Sequence, residues 1–293
     1  MYRQGKTCLL VVLGRSGRSY LQGEDLKKVI LKAVVIAVSF LFIWILLAQF
    51  NWIKLFRIEE LSNKSEEKIG NIFHDYIIQT EIVARDSEIT APVKNLVNDI
   101  CTANGIKADE IRIYILKNKQ VNAFAMPGKQ LVIYSGLIDE SKNQYELVGV
   151  IAHELAHIKL GHIKKKLIKE VGLSALLSVT AGVNGAELAK EMIKLLSSTA
   201  YDRNLEEEAD HQAVNYLINT GVSPAYLADF LERLSKKEFP GQKYFSWISD
   251  HPDTKERVNY IRHTISSRST KNRILLDSKS WNSLKMKIQE LNG

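Results

Sequence analysis

The chain has 293 residues, 45% of them hydrophobic and 25% charged, a composition that excludes an intrinsically disordered protein and allows a sizeable core. Its formal net charge of +7 is uneven: residues 1–52 hold seven Lys and Arg against Glu24 and Asp25, leaving 33 Lys and Arg against 31 Asp and Glu elsewhere. The main body therefore lacks the basic field that draws nucleic acid, and no nucleic-acid partner is expected.

In chain order, a basic N-terminal segment comes first, with Cys8 in it. The other cysteine is Cys101, and neither has a CxxC neighbour, so a cysteine zinc site or disulfide scaffold is excluded. From Ala33 to Ile53 run 21 residues without a charge, about 31 Å as a helix, which matches a bilayer hydrocarbon core. Trp52 at one end and Lys27, Lys28 and Lys32 at the other suit the two interfaces. The basic residues before the run place the N-terminus in the cytoplasm and the following chain outside it. The expected organisation is a basic cytoplasmic tail (1–28), one transmembrane helix (29–53), a catalytic domain (54–270) and a C-terminal helical tail (271–293).

Residues 65–84 and 91–105 read as helices, the second closing on Gly105. Residues 111–117 alternate like a strand, and 121–135 read as a hairpin with Pro127-Gly128 in its turn. From Gln144 onward the patterns are helical, broken at Gly161 and near residues 182–185, 220–224 and 239–242. Residues 171–183 form a second apolar stretch, too short to span a bilayer; it reads as a core helix, with a segment that skims the membrane or covers the site as the alternative. The order implies an α+β fold, mainly helical, with a small antiparallel sheet.

The chemistry begins at residues 153–162, HELAHIKLGH. On a helix His153 and His157 stand at i and i+4, so both imidazoles leave one face toward one ion. Glu154 lies about 100° further round, where it can take a proton from an attacking water. His162 falls five residues after His157; on a continuing helix it would be rotated about 140° off the metal face. It reads as a solvated histidine or one that supports a ligand from behind, so a carboxylate must complete the site.

Residues 203–213, RNLEEEADHQA, supply that carboxylate. Glu206 has Asp210 at i+4, so one can bind metal while the other hydrogen-bonds a ligand histidine. Ala209 and Ala213 allow close helix approach on the same side. Glu207 pairs instead with His211, and Glu208 points elsewhere, so both belong to a solvated face. Zinc held by two histidines and Glu206 makes the site a gluzincin one, with one Zn(2+) per chain.

Four stretches, NAFAMPG (122–128), VIAHELAH (150–157), RNLEEEAD (203–210) and DHPDTKERV (250–258), together resemble the HtpX/BepA-type zinc metallopeptidases, relatives of the CAAX prenyl proteases and the mitochondrial Oma-type proteases. The resemblance covers roughly residues 65–265. It implies a gluzincin fold, zinc on His153, His157 and Glu206, Glu154 as general base, and Asp210 supporting the site. It also implies that Asn122, Ala123, Phe124 and Ala125 lie along the substrate, and that His251 reaches the active site with Arg257 helping to bind it. Two roles stay open for His251: a hydrogen bond to the tetrahedral oxyanion, or zinc's open position at rest. The sequence departs from the family at Asp202, where Ser is usual, and in having one apolar span.

The expected activity is that of a membrane-anchored zinc endopeptidase of the bacterial inner membrane. It would cut unfolded or misassembled proteins on the extracytoplasmic side. The alternative is a zinc-stabilised envelope chaperone or scaffold with little proteolysis.

Overall fold

The computed structural model describes residues 23–49, 58–172, 185–198, 201–237, 247, 251, 254–265 and 272–293. The chain forms two compact units, Met1–Ile58 and Glu59–Gly293. The first contains helix α1 (Gly23–Gln49), whose large apolar residues from Val29 to Trp44 are all exposed. The span expected over Ala33–Ile53 is not found as such: among the described residues no helix is long and apolar enough to cross a membrane. The described side chains of α1, residues 27–44, include Lys27, Lys28 and Lys32, and residues 50–53, Trp52 with them, lie outside the described residues. So do residues 1–22, the apolar stretch from 173 to 183 and the break expected at 239–242.

Helix α2 (Ile58–Thr80) begins at the last residue of the first unit and runs on into the second, where α3 (Ser87–Ala103) follows. The N-terminus of α3 is fixed by Asp86, whose carboxylate accepts from Glu88 N at 2.9 Å, satisfying one of the free amides of a first turn. After a 3-10 turn come β1 (Arg112–Leu116), β2 (Ala123–Met126) and β3 (Gln130–Tyr134). The β2–β3 hairpin turns through Gly128 (φ 72) and Lys129 (φ 55), a left-handed pair of the kind tight hairpins use.

The sheet order is β1-β3-β2, with β2 antiparallel and β1 parallel to β3. The expectation of an antiparallel sheet is therefore corrected: the sheet is mixed. The hairpin folds back so that β3, not β2, lies against β1. The far edge of β1 is partly covered, since Ala84 N donates to Ile115 O and Lys117 N to Ile82 O, both at 2.8 Å.

The remaining helices are α4 (Ser135–Glu140), α5 (Gln144–Lys159), α6 (His162–Val171), α7 (Gly185–Ser198), α8 (Arg203–Thr220), α9 (Ala225–Lys237), α10 (Thr254–Ile265) and α11 (Ser278–Asn292). Asn143 caps α5, accepting from Tyr145 N and Glu146 N. Almost every side chain from Gln144 to His157 is buried, which makes α5 the axis of the unit. One apolar core joins α3, α4, α5, α8 and α9 on one sheet face, with Val258, Ile261, Leu284 and Ile288 closing it. A second core on the other face takes Phe73 and Ile77 of α2, Ile163 and Leu167 of α6, and Met192 and Leu196 of α7. With both faces covered, the strands bury consecutive residues rather than alternate ones.

Candidate metal centre

Helix α5 carries His153 and His157 on one face, and α8 packs against it through Ala209 and Ala213, both fully buried. These small residues let the backbones approach until the Glu206 side chain meets the histidine pair. His153 Nε2 lies 3.0 Å from His157 Nε2, and these atoms stand 3.4 and 3.3 Å from the Glu206 oxygens Oε2 and Oε1. His251 completes the group, its Nδ1 lying 2.8 Å from Glu206 Oε1 and 3.2 Å from His153 Nε2. One ligand atom from each of the four residues lies within 4.8 Å of the others, and all four are buried.

The donor set suits zinc. Asp210 Oδ1 stands 2.9 Å from His153 Nδ1. An ionised carboxylate only accepts, so the Nδ1 proton belongs to His153, and in the neutral ring Nε2 turns its lone pair into the cluster. Glu206 Oε2 is buried without a hydrogen bond, although Arg257 Nη1 is 3.1 Å away. Two imidazole nitrogens and an unsaturated carboxylate, converging out of water, are the ligands a zinc site requires.

The electrostatics are those of a buried carboxylate held beside a guanidinium and imidazole rings. Burial acts to raise the Glu206 carboxyl, but His251, Arg257 and His153 outweigh it and hold it well below the ordinary carboxylate range. Burial likewise opposes ionisation of Asp210, and the Arg257 guanidinium overcomes it, leaving the carboxyl at about 2. His157 is pushed well below the ordinary imidazole value by burial, which Glu206 only partly offsets.

Glu154 is fully buried beside the cluster. Its Oε2 accepts from Ala125 N of β2 at 3.1 Å, and its Oε1 accepts from the Trp247 indole at 3.0 Å and lies 3.4 Å from His251 Nε2. Trp247 and His251 are tied to each other, since His251 N donates to Trp247 O at 3.0 Å. Trp247 lines the site beside Glu154, a place that motif spacing alone does not single out. Its position four residues before His251 is the signal that it shares the histidine's face.

Arg257 and Asp210 meet behind the cluster, and Arg257 Nη1 also donates to His251 O at 3.1 Å. Asn122, Ala123, Phe124 and Ala125 are all buried; β2 is a sheet edge, and Ala125 N reaches Glu154. His162 is neither solvated nor in the four-residue cluster: it is buried behind His157. Glu207 pairs with His211 as expected, whereas Glu208 reaches His162 and Lys165 instead of facing only solvent. Asp202 pairs with Lys169, and Arg203 with Glu256.

The sequence places this arrangement among known proteins. The model of peptidase family M48 matches residues 87–265. Metalloprotease LoiP of Escherichia coli is 32% identical over 197 residues, 65% of this chain and 76% of that protein. The beta-barrel assembly-enhancing protease of E. coli is 25% identical over 232 residues, 71% of this chain and 47% of that protein. The mitochondrial metalloendopeptidase OMA1 of Arabidopsis thaliana is 27% identical over 149 residues, 51% of this chain and 30% of that protein. The family match covers more than half of the chain, including the helices that bring the two histidines and Glu206 together, and on that ground the protein belongs to peptidase family M48, the zinc-dependent metalloproteases.

Proposed function

We propose that zinc is held by His153, His157 and Glu206, and that Glu154 is the general base of peptide-bond hydrolysis. The observation that supports this best is the place of the Glu154 carboxylate, which lies between the edge strand and the four-donor cluster. Zinc bound there supplies a Lewis acid that polarises the scissile carbonyl and acidifies water. Glu154 takes the proton of the attacking water on a carboxylate oxygen and delivers it to the leaving amine nitrogen.

The edge strand presents the substrate. Tyr134 N donates to Asn122 O at 3.0 Å, so by antiparallel alternation the Asn122 and Phe124 backbones face β3, and those of Ala123 and Ala125 face outward. An extended peptide pairs with those outward groups and takes the Ala125 N–H that Glu154 now occupies. His251 and Trp247 fill the place beside Glu206 and Glu154.

The physiological reading is a membrane-anchored quality-control protease acting on misfolded or misassembled proteins outside the cytoplasm. Two features support it: the uncharged run Ala33–Ile53 with its exposed apolar residues on α1, and the kinship to a protease named for β-barrel assembly. Glu154→Gln tests the chemistry. This variant is expected to bind zinc as the parent does and to lose casein cleavage by at least about 100-fold, the share a general base contributes. Undiminished cleavage overturns the assignment.

A further inference from the structure

His162 and Glu208 have no part in that chemistry, yet they are joined to it. Helix α5 ends at Lys159, Gly161 adopts the left-handed conformation (φ 66), and α6 starts at His162. This break turns the His162 ring back against His157, with centroids 5.0 Å apart and planes at 73°. His162 Nδ1 lies 3.0 Å from His157 Nδ1, and His162 Nε2 lies 3.2 Å from Glu208 Oε2. His162 is fully buried, whereas the Glu208 side chain is 54% exposed and also has Lys165 Nζ at 3.6 Å.

Two Nδ1 atoms 3.0 Å apart bond only if one of them carries the proton. An ionised carboxylate cannot donate, so Glu208 draws the His162 proton to Nε2 and leaves Nδ1 of that neutral ring as an acceptor. His157 must then donate from Nδ1, which leaves the lone pair of its Nε2 facing His153 and Glu206. The opposite arrangement would put the His157 proton on the nitrogen that faces the metal. Asp210 does for His153 directly what Glu208 does for His157 through a second ring.

We propose that Glu208 and His162 form a positioning relay that fixes His157 in the tautomer able to bind zinc. The relay rests on the reading of His157 as a ligand. Its effect is on metal affinity, since partners behind a ligand histidine commonly contribute about 10–100-fold.

The test is zinc affinity of the full chain, measured against a chromophoric chelator, together with 15N spectra of the histidine rings in the zinc-loaded protein. Glu208→Gln keeps an oxygen that accepts from His162 Nε2, and its affinity is expected to stay within several-fold of the parent. Glu208→Lys offers only donors and is expected to bind zinc about 10–100-fold more weakly, with a surface position that spares the fold. The spectra are expected to show His162 protonated at Nε2 and His157 at Nδ1. Parental affinity in Glu208→Lys, or a His162 proton on Nδ1, overturns the relay while leaving the zinc centre intact. A parent protein that takes up no zinc overturns the centre, and the relay with it.

Discussion

Arg257 clasps Asp210 with two parallel hydrogen bonds, Nε to Oδ2 at 2.7 Å and Nη2 to Oδ1 at 2.8 Å, and both side chains are buried. The same guanidinium stands 3.1 Å from Glu206 Oε2 through Nη1, so one cation faces two buried carboxylates. Removing one partner of a buried pair leaves an uncompensated charge, which costs more than the pair itself contributes. Arg257→Leu is therefore expected to lower stability by about 3–5 kcal/mol, read from urea unfolding of the zinc-free protein. A loss below about 1 kcal/mol would show that water or the remaining histidines already compensate those carboxylates.

How much of this is legible in the sequence differs from residue to residue. The i, i+4 spacing of His153 and His157, and of Glu206 and Asp210, is a property of one helix, and helix geometry alone places each pair on one face. The meeting of the two faces also leaves a trace, in Ala209 and Ala213. The sheet order leaves none, because whether a hairpin folds with β2 or β3 against β1 depends on packing against α2 and α5. Which of its two readings holds for His162, solvated or supporting a ligand from behind, is hidden for a local reason. Its rotation off the metal face assumes a continuing helix, and one left-handed residue, Gly161, breaks that helix, leaving the ring buried. Glu208 is hidden with it, since an acidic run on a helix reads as solvated surface until its partner is known.

Gly136 lies where the start of α4 passes beneath the segment leading into β2. Its N donates to Asn118 O at 2.8 Å, and a Cβ there would sit 2.3 Å from Lys119 O and 2.4 Å from Gln120 O. Both obstacles are backbone atoms, so no rotamer relieves them and the strand entry must shift. Gly136→Ala is expected to cost about 3 kcal/mol, the upper range for overpacking, and to lower the thermal midpoint by several degrees. A midpoint within a degree of the parent would mean that the 118–120 segment moves freely, which would undercut a rigid edge strand.

Zinc removal should be felt in stability as well as activity. The four candidate ligands are buried together, and a cation that binds only the folded chain stabilises it by about 3–4 kcal/mol at roughly 100–1,000 times its dissociation constant. Chelation is expected to lower the melting temperature and abolish proteolysis, with both restored by zinc and neither by magnesium, whose octahedral oxygen preference the imidazoles do not meet. A melting temperature indifferent to chelation and to added zinc would argue that the cluster is held by its hydrogen bonds alone.

Cys101 sits in the core between α3 and α8, and burial pushes its thiol up to about 11 from an ordinary 9.0. Tyr216 on α8 is pushed up to about 12, by burial first and by Cys101 second. Above pH 9 the unfolded chain releases the thiol proton while the folded chain still holds it, so each further step in pH favours unfolding. The stability tied to this thiol is intact below pH 9 and is lost as pH rises toward 11, by roughly 2–3 kcal/mol in all, since a tenfold change in proton affinity corresponds to about 1.36 kcal/mol. Exposed lysines and tyrosines titrate over the same range, so the informative quantity is a difference. Cys101→Ala is expected to begin about 1 kcal/mol less stable at neutral pH because a buried sulfur is lost, and to overtake the parent as the pH approaches 11. Parallel alkaline unfolding curves for the two proteins would show that the thiolate finds solvation in the core, contrary to the complete burial of Cys101.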